Sequence, residues 1–458
     1  ANRDITRTYG RWNRRYLYDR NYAETRCPIV PSAIIETLSH QNFPDMVMGQ
    51  DPNFRFTLAR SIYKSILRFN SMMHDKTYVI TPLAPRNLSA EFAAEDTIML
   101  KWDATPDPDE PTAIPTGYIL YTSIDDYGFD NGIKVNGNAC KVKLQPNTLY
   151  NFKIAAVNDG GESFTSETIS AVYNPQATKT VLIVNGFERL AAPAVINNEE
   201  EQGFNFTADP GVCLDKTIGY CGTQLCFDKD KIGIEGPGGL GYSGSELEGH
   251  IIKGNEFNYI TTHAKAIMSA NRYNIVSCSK HALGGNITNI DKYDCIDLIL
   301  GLEKNDGYSL RTYKTFPPKL QDILAKYTNR GGNLLVSGAY VGSDMTDNDE
   351  RKFLKDVLHV KYTDSESLVG NNTITGMGVS CQIFTLPNEF HYASTSVDII
   401  SPTGKAFSTM TDYQGRSVCV AYEGNDCRTF TMGFPFECIT SYKKQSAIMR
   451  GVLNFLCK

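Results

Sequence analysis

The spacing of apolar residues changes character twice along this chain, and each change marks a different kind of architecture. Between residues 84 and 174, runs such as TIMLKW, TGYILY, LYNFKIAAVN and SETISAVY alternate apolar with polar positions and are separated by turns. A period of two belongs to strands with one face in a core and the other in water, so this block predicts an all-β sandwich. From 178 to 458 the apolar runs become continuous, as in TVLIVNGF, NRYNIVSC, CIDLILGLE and GGNLLVSGAYVGSD, with the helical-looking PKLQDILAKYTNRG among them. Strands apolar on both faces belong to a mainly parallel sheet covered on both sides, hence an α/β domain. CQIFTL, SVCVAYEG and FTMGFPFECI add shorter β segments, and SAIMRGVLNFL a closing amphipathic helix.

Residues 1–78 are lopsided. A basic aromatic opening, RWNRRYLYDRNYAE, precedes an apolar run, PSAIIE, that stops on Glu36. PNFRFTLARSIYKSILRF then places Phe56, Leu58, Ile62, Ile66 and Phe69 at spacings close to helical. One strand and one helix cannot close a core, so this block reads as the last βα unit of a larger sheet. The proline-marked segments TPLAPRN and YNPQATK separate the three blocks, and the acidic runs PDPDEP and NNEEEQ read as solvated loops.

With 458 residues the chain has length for about three domains. A formal charge of −6 gives no electrostatic footprint for nucleic acid or an anionic membrane, and no run approaches the roughly 18 apolar residues of a membrane helix. Small molecules or glycans fit better as partners. The start at Ala1, without Met or a signal peptide, leads us to expect a processed or truncated chain whose targeting segment lies upstream. Twelve cysteines, among them Cys213, Cys221 and Cys226, Cys278 and Cys295, and Cys419, Cys427 and Cys438, are many for a reducing cytosol. They point to an extracytoplasmic, partly disulfide-bonded protein, with buried free thiols as the alternative. None is spaced CxxC, and no histidine stands beside them as a zinc finger needs.

Trp102 after an alternating strand, the run PTGYILY, and LQPNTLYNFKIAAVNDGGES with Tyr150 together resemble a fibronectin type III domain over 84–174. The resemblance implies that Trp102 is the core tryptophan and Tyr150 the corner tyrosine. In the third block, Gly338-Ala339-Tyr340-Val341-Gly342 ends the run NLLVS in the pattern G-x-nucleophile-x-G. Here 178–458 resembles a class I glutamine amidotransferase-like domain of flavodoxin-like fold, whose motif has Cys at that centre and a later His-x-Glu for the base. This chain has Tyr340 at the centre, and in GFPFE it keeps Glu437 but has Pro435 at the histidine position. A phenol with a pKa near 10 and no base is not activated, so the block reads as a retired scaffold reused for binding or architecture. Tyr340, Ser343 and Asp344 are then the binding candidates. GPGGLG, Gly236 to Gly241, spells a dinucleotide fingerprint, but Pro237 inside it and the poor helix start YSGSELEG make it a glycine-rich surface turn.

PSAIIETLSHQNFPDM followed by FRFTLARSIYKSILRF resembles the C-terminal end of zinc-dependent N-acetylmuramoyl-L-alanine amidases. The resemblance implies a strand ending in the catalytic acid, Glu36, which takes a proton from metal-bound water and passes it to the leaving amide nitrogen. That family's zinc ligands, two His and a Glu, lie N-terminal to this strand, and residues 1–35 contain no histidine. Zinc would therefore be held by an upstream part of the same protein, with no metal ligand in this chain. His40 reads as an ordinary loop histidine, and the alternative for Glu36 is a structural acid capping a turn or pairing with Arg26. The order of the three blocks is similar to that in secreted Bacteroidetes proteins often labelled xanthan lyase, although no Tyr/His/Arg set supports lyase chemistry.

The expectation is the C-terminal portion of a secreted cell-envelope peptidoglycan amidase, inactive by itself. Its partners would be peptidoglycan or another glycan and the upstream part of the same protein, in the periplasm, at the cell surface or outside the cell. The alternatives are a non-enzymatic glycan-binding or adhesion protein and a polysaccharide-active enzyme.

Overall fold

The computed structural model describes residues 2–458 apart from 11, 14, 126, 207, 219–221, 223, 246, 288 and 426. Its N-terminal block is helical: α1 (Asn2–Tyr9), α2 (Phe43–Gln50) and α3 (Pro52–Met73). The sequence sets these boundaries. The Asn42 side chain accepts from the Asp45 N–H ahead of α2, the Asp51 carboxylate from the Asn53 N–H ahead of α3, and a proline stands in the first turn of each. The strand expected at PSAIIE is not formed. Residues 31–38 are irregular, because no neighbouring strand offers them a ladder and a lone strand is not stable in water.

Residues 86–171 make the expected two-layered sandwich. One layer is Arg86–Ala94, Thr97–Asp103 and Ala139–Lys143; the other orders Ile133–Val135, Gly117–Ile124, Tyr150–Asn158 and Gly161–Thr165, with Ile169–Ala171 paired to Tyr150–Asn158. Trp102 is buried between the layers, edge-on to Tyr118 at 5.3 Å. The Tyr150 hydroxyl accepts from the Gln145 N–H at 3.3 Å, the back-bond of a tyrosine corner.

The last block holds five parallel strands, β1 (Lys179–Asn185), β2 (Tyr273–Ser279), β3 (Cys295–Gly301), β4 (Asn333–Gly338) and β5 (Arg428–Met432), arranged β2-β1-β3-β4-β5. Helix α4 (Ile260–Met268) precedes β2, α5 (Pro318–Asn329) joins β3 to β4, α6 (Asn348–Asp356) follows β4, and α7 (Tyr442–Leu456) follows β5 and packs on α4. Four antiparallel strands continue the sheet beyond β5. At the other edge β2 pairs with Arg86–Ala94, so one twelve-stranded sheet runs through both the sandwich and the α/β block. The seam is hydrogen-bonded on both sides: Val172 and Ile275 exchange backbone bonds, and the Ser277 hydroxyl accepts from Ser170 N–H at 2.6 Å and donates to its carbonyl at 2.7 Å. The segment YNPQATK is thus a packed corner of one body rather than a free linker.

Gly236, Gly238 and Gly241 sit at φ of 80°, 87° and 75°, a turn preceded by the short 3-10 helix Lys229–Lys231 and not by a strand. Among the described residues Cys27, Cys140, Cys213, Cys226, Cys278, Cys295, Cys381, Cys419, Cys438 and Cys457 are free thiols, most of them buried, so the disulfides expected among these cysteines are not formed; Cys221 lies outside the described residues. No described helix is long and apolar enough to cross a membrane.

Candidate functional site

In an open parallel sheet, the loops that leave the carboxyl ends of the strands meet where the chain order reverses, here between β1 and β3. A second such turn is the one predicted after β4. Gly338 and Gly342 allow it because the backbone passes very close to its neighbours. A Cβ on Gly338 would lie 2.8 Å from Leu300 Cβ, and one on Gly342 would lie 2.8 Å from Tyr362 Cβ. Both turns present backbone N–H groups of the kind that cradle anions.

Carboxylates of the chain itself occupy both cradles. Asp398 Oδ2 accepts from the N–H groups of Gly342 at 2.7 Å and Ser343 at 2.8 Å and from the Ser343 hydroxyl at 3.1 Å, while its Oδ1 accepts from Ser365. Burial pushes the Asp398 carboxyl up to about 6, against the pull of these donors. Between β1 and β3, Glu303 Oε2 accepts from the N–H groups of Glu188 and Arg189, each at 2.8 Å, and Lys280 closes the site by pairing with Glu303 and donating to the Gly186 carbonyl. Burial raises the Glu303 carboxyl although Lys280 opposes it.

Tyr340, Ser343 and Asp344 come together on the β4 turn, but the structure engages them internally. The Tyr340 ring lies under the Lys304 ammonium at 4.4 Å, and that ammonium pairs with Asp209 at 2.9 Å. Asp344 accepts from the N–H groups of Asn305 and Thr315. Asp209 also pairs with the fully buried Arg189; burial alone would raise its carboxyl, but Arg189 and Lys304 hold it well below the usual range.

Two further groups escaped the sequence reading. The sandwich sends Glu167 to the end of β1, where it accepts from the Asn185 amide; burial and the neighbouring Glu188 push it up to about 8. Glu437, noted for its place in GFPFE, does have a histidine, supplied from α4. His263 Nδ1 stands 2.8 Å from Asp297 and Nε2 3.3 Å from Glu437, which also accepts from the Tyr392 hydroxyl at 2.6 Å. Burial alone would lower the imidazole's pKa, but the two carboxylates hold it at about 9. Protonated, both ring nitrogens donate and no lone pair is left to act as a base. The signal lay in CIDLILG, where an acid inside a fully buried strand demands a partner.

Glu36 is not brought to this region by any contact. It is exposed, as is His40, and neither hydrogen bonds nor pairs with Arg26 or any other described residue. Among the described residues no group of three or more His, Cys, Asp or Glu is placed to hold a metal. Block one instead reaches the carboxyl ends of the sheet through Asn53, whose amide donates to the Leu190 carbonyl and the Tyr313 hydroxyl, each at 3.0 Å.

The fibronectin type III family model matches residues 83–172, and this part of the chain is a fibronectin type III domain. No curated protein matches the chain. Among solved structures, the chain is similar to a myokine structure at 21% identity, over 20% of this chain and 99% of that one, with a TM-score of 0.18. It is also similar to the fibronectin type-III domain of human fibronectin type III domain containing protein 3 at 26% identity, over 22% and 92%, with a TM-score of 0.19. A third is the twitchin kinase region from C. elegans at 19% identity, over 21% and 17%, with a TM-score of 0.19.

Proposed function

We propose that this chain is the C-terminal portion of an extracytoplasmic peptidoglycan amidase, in which block one supplies Glu36 and the two following domains are non-catalytic supports. The observation that carries the reading is the face on which α3 is docked. Its buried positions are Phe54, Ser61, Lys64 and Ser71, and Lys64 bridges Asp4 and Glu110 beneath it. The stripe the sequence marks as apolar points mostly the other way: Leu58 and Ile62 are half-buried and Phe56 meets the Phe164 ring at 6.1 Å, but Ile66 and Phe69 are exposed, as are Ile29, Val30, Ile34 and Ile35 beside Glu36. A helix stripe and a strand-like run, both apolar and both largely uncovered, ask for a sheet. The occupant we propose is the upstream part of the same protein, which would bring the zinc ligands while Glu36 holds and hands over the proton.

The supports read as follows. The order β2-β1-β3-β4-β5 is that of flavodoxin-like domains, which favours the amidotransferase-like reading of 178–458. Tyr340 at the β4 turn and self-occupied N–H cradles favour a scaffold without a reaction of its own. To test the proposal, a protein extended upstream is assayed for muropeptide release beside its Glu36→Gln variant. Zinc-dependent release that falls by roughly a hundredfold or more in the variant supports the reading. Equal release by both proteins, or zinc binding without release, overturns it.

Non-enzymatic glycan binding has one observation in its favour, an open cleft of about 380 Å³ at the domain seam. It is lined by Phe92, Glu95, Tyr173, Asn174 and Asn274, an aromatic and amide set suited to sugar hydroxyls. Calorimetric binding of muropeptides to this chain, lost in Asn274→Ala, would favour that reading over the first.

A further inference from the structure

We propose that Lys280 and Glu303 condense, with loss of one water, to a side-chain amide that ties the end of β2 to the loop leaving β3. Lys280 is the first residue after β2, Glu303 stands two residues past β3, and their side chains meet at 2.5 Å between Nζ and Oε1. Both residues are buried, at 8% and 1% exposure. Their backbones are pinned as well. The Leu283 N–H donates to the Lys280 carbonyl, the Glu303 N–H to the Leu300 carbonyl at 2.8 Å, and the Thr315 hydroxyl to the Glu303 carbonyl at 2.6 Å. An amine and a carboxyl group held in this way lose little further freedom on the way to reaction.

The surroundings are those of an acyl-transfer site. Glu303 Oε2, the oxygen not paired with Lys280, accepts from the Glu188 and Arg189 N–H groups at 2.8 Å each, the arrangement of an oxyanion hole. The Glu188 carboxylate lies 3.8 Å from Lys280 Nζ and 3.0 Å from the exposed His281 ring, a position from which it can carry protons. The buried Lys64 pair lacks this setting: Asp4 accepts from the Ser61 hydroxyl and Glu110 from Arg68, both side-chain donors. An ion pair out of water regains its desolvation cost only in part. The amide carries no charge, its oxygen keeps both N–H donors, and its single N–H keeps the Gly186 carbonyl that Nζ now meets at 3.1 Å.

The reaction needs no co-reactant. The Lys280 ammonium passes a proton to Glu303 Oε1, which leaves an amine and a carboxylic acid, the pair that a dry site favours. Nζ then adds to Cδ, and Oε2 takes the negative charge between its two N–H donors. Glu188 removes one of the two protons left on nitrogen and delivers it to the Oε1 hydroxyl. The Cδ–Oε1 bond breaks, water departs, and the carbonyl re-forms with one proton on the amide nitrogen. Glu188 ends ionised, as it began.

The crosslink is independent of the amidase reading. The test uses the whole purified chain, unfolded, acetylated on its lysines and cut with trypsin, which then cleaves only at arginine. Residues 273–311 emerge as one peptide that holds Lys280, Lys292, Lys304 and Glu303. The expected peptide is lighter than its sequence by one water, acetylated on Lys292 and Lys304 but not on Lys280, and without fragment ions from backbone breaks between 280 and 303. The intact chain should show the same loss, and Lys280→Arg should restore the full mass. Recovery of the peptide at full mass with Lys280 acetylated overturns the proposal in the parent protein itself, whatever the variants do. Glu188→Gln should leave most chains open; complete crosslinking in that variant overturns the proton transfer assigned to Glu188.

Discussion

Asp398 and Glu303 place their carboxylates where a bound anion would sit, and each answers two backbone N–H groups, one buried and one part-buried. Removing such an acceptor leaves buried donors unpaired. Asp398→Ala should lower the free energy of unfolding by about 3 kcal/mol, read from urea denaturation, with Asp398→Asn costing less because one acceptor oxygen survives. The titrating groups give a second prediction. His263, held at about 9 against an unfolded value near 6.5, contributes stability that is complete below 6.5 and lost as pH rises through 9. Glu167, raised to about 8, and Asp398, raised to about 6, lose their contributions in the same direction, above about pH 4. The urea midpoint should therefore fall steadily from pH 5.5 to 9.5, and His263→Gln should flatten the upper part of that fall; a midpoint rising over this range contradicts the assignment. Around His263 the sequence displayed Glu437 through its motif, while Asp297, an acid inside the apolar run CIDLILG, was a sign left unread. His263 and Glu167 carried no local sign, because their partners lie far away in sequence.

At the scale of elements, strands and helices of the α/β and sandwich blocks were legible because burial on a core imposes its period on the sequence. Block one shows where period alone misleads. The apolar stripe of α3 was correctly located, but the face docked on this chain is the charged one, through Lys64, Arg60 to Asp107 at 2.8 Å, and Arg68 to Glu110. Lys64 lies between two carboxylates that are themselves buried, so Lys64→Ala leaves Asp4 and Glu110 without their shared cation. It should destabilise the chain by about 3–5 kcal/mol, whereas Ile66→Ala, on the exposed stripe, should cost less than about 1 kcal/mol in this chain. Comparable losses for the two variants would mean that the stripe is already covered. The missing strand at PSAIIE has the same origin, since hydrophobic pattern states what a segment can pair with and not whether the pair is present.

For the whole molecule, the fibronectin type III domain was legible from Trp102, the run PTGYILY and the stretch around Tyr150. Its fusion to the α/β block was not. The seam depends on Ser170, Ser277 and the Val172–Ile275 exchange, residues with no distinguishing pattern, and it turns two domains into one twelve-stranded sheet. That sheet meets block one at the carboxyl ends of its strands, through Asn53, with apolar residues left exposed beside Glu36. Hydrogen exchange at the amides of residues 32–38 tests the central claim most directly. The account predicts fast exchange in this chain and protection by at least a hundredfold in a protein extended upstream, as the segment joins a sheet; equally fast exchange in both would contradict it.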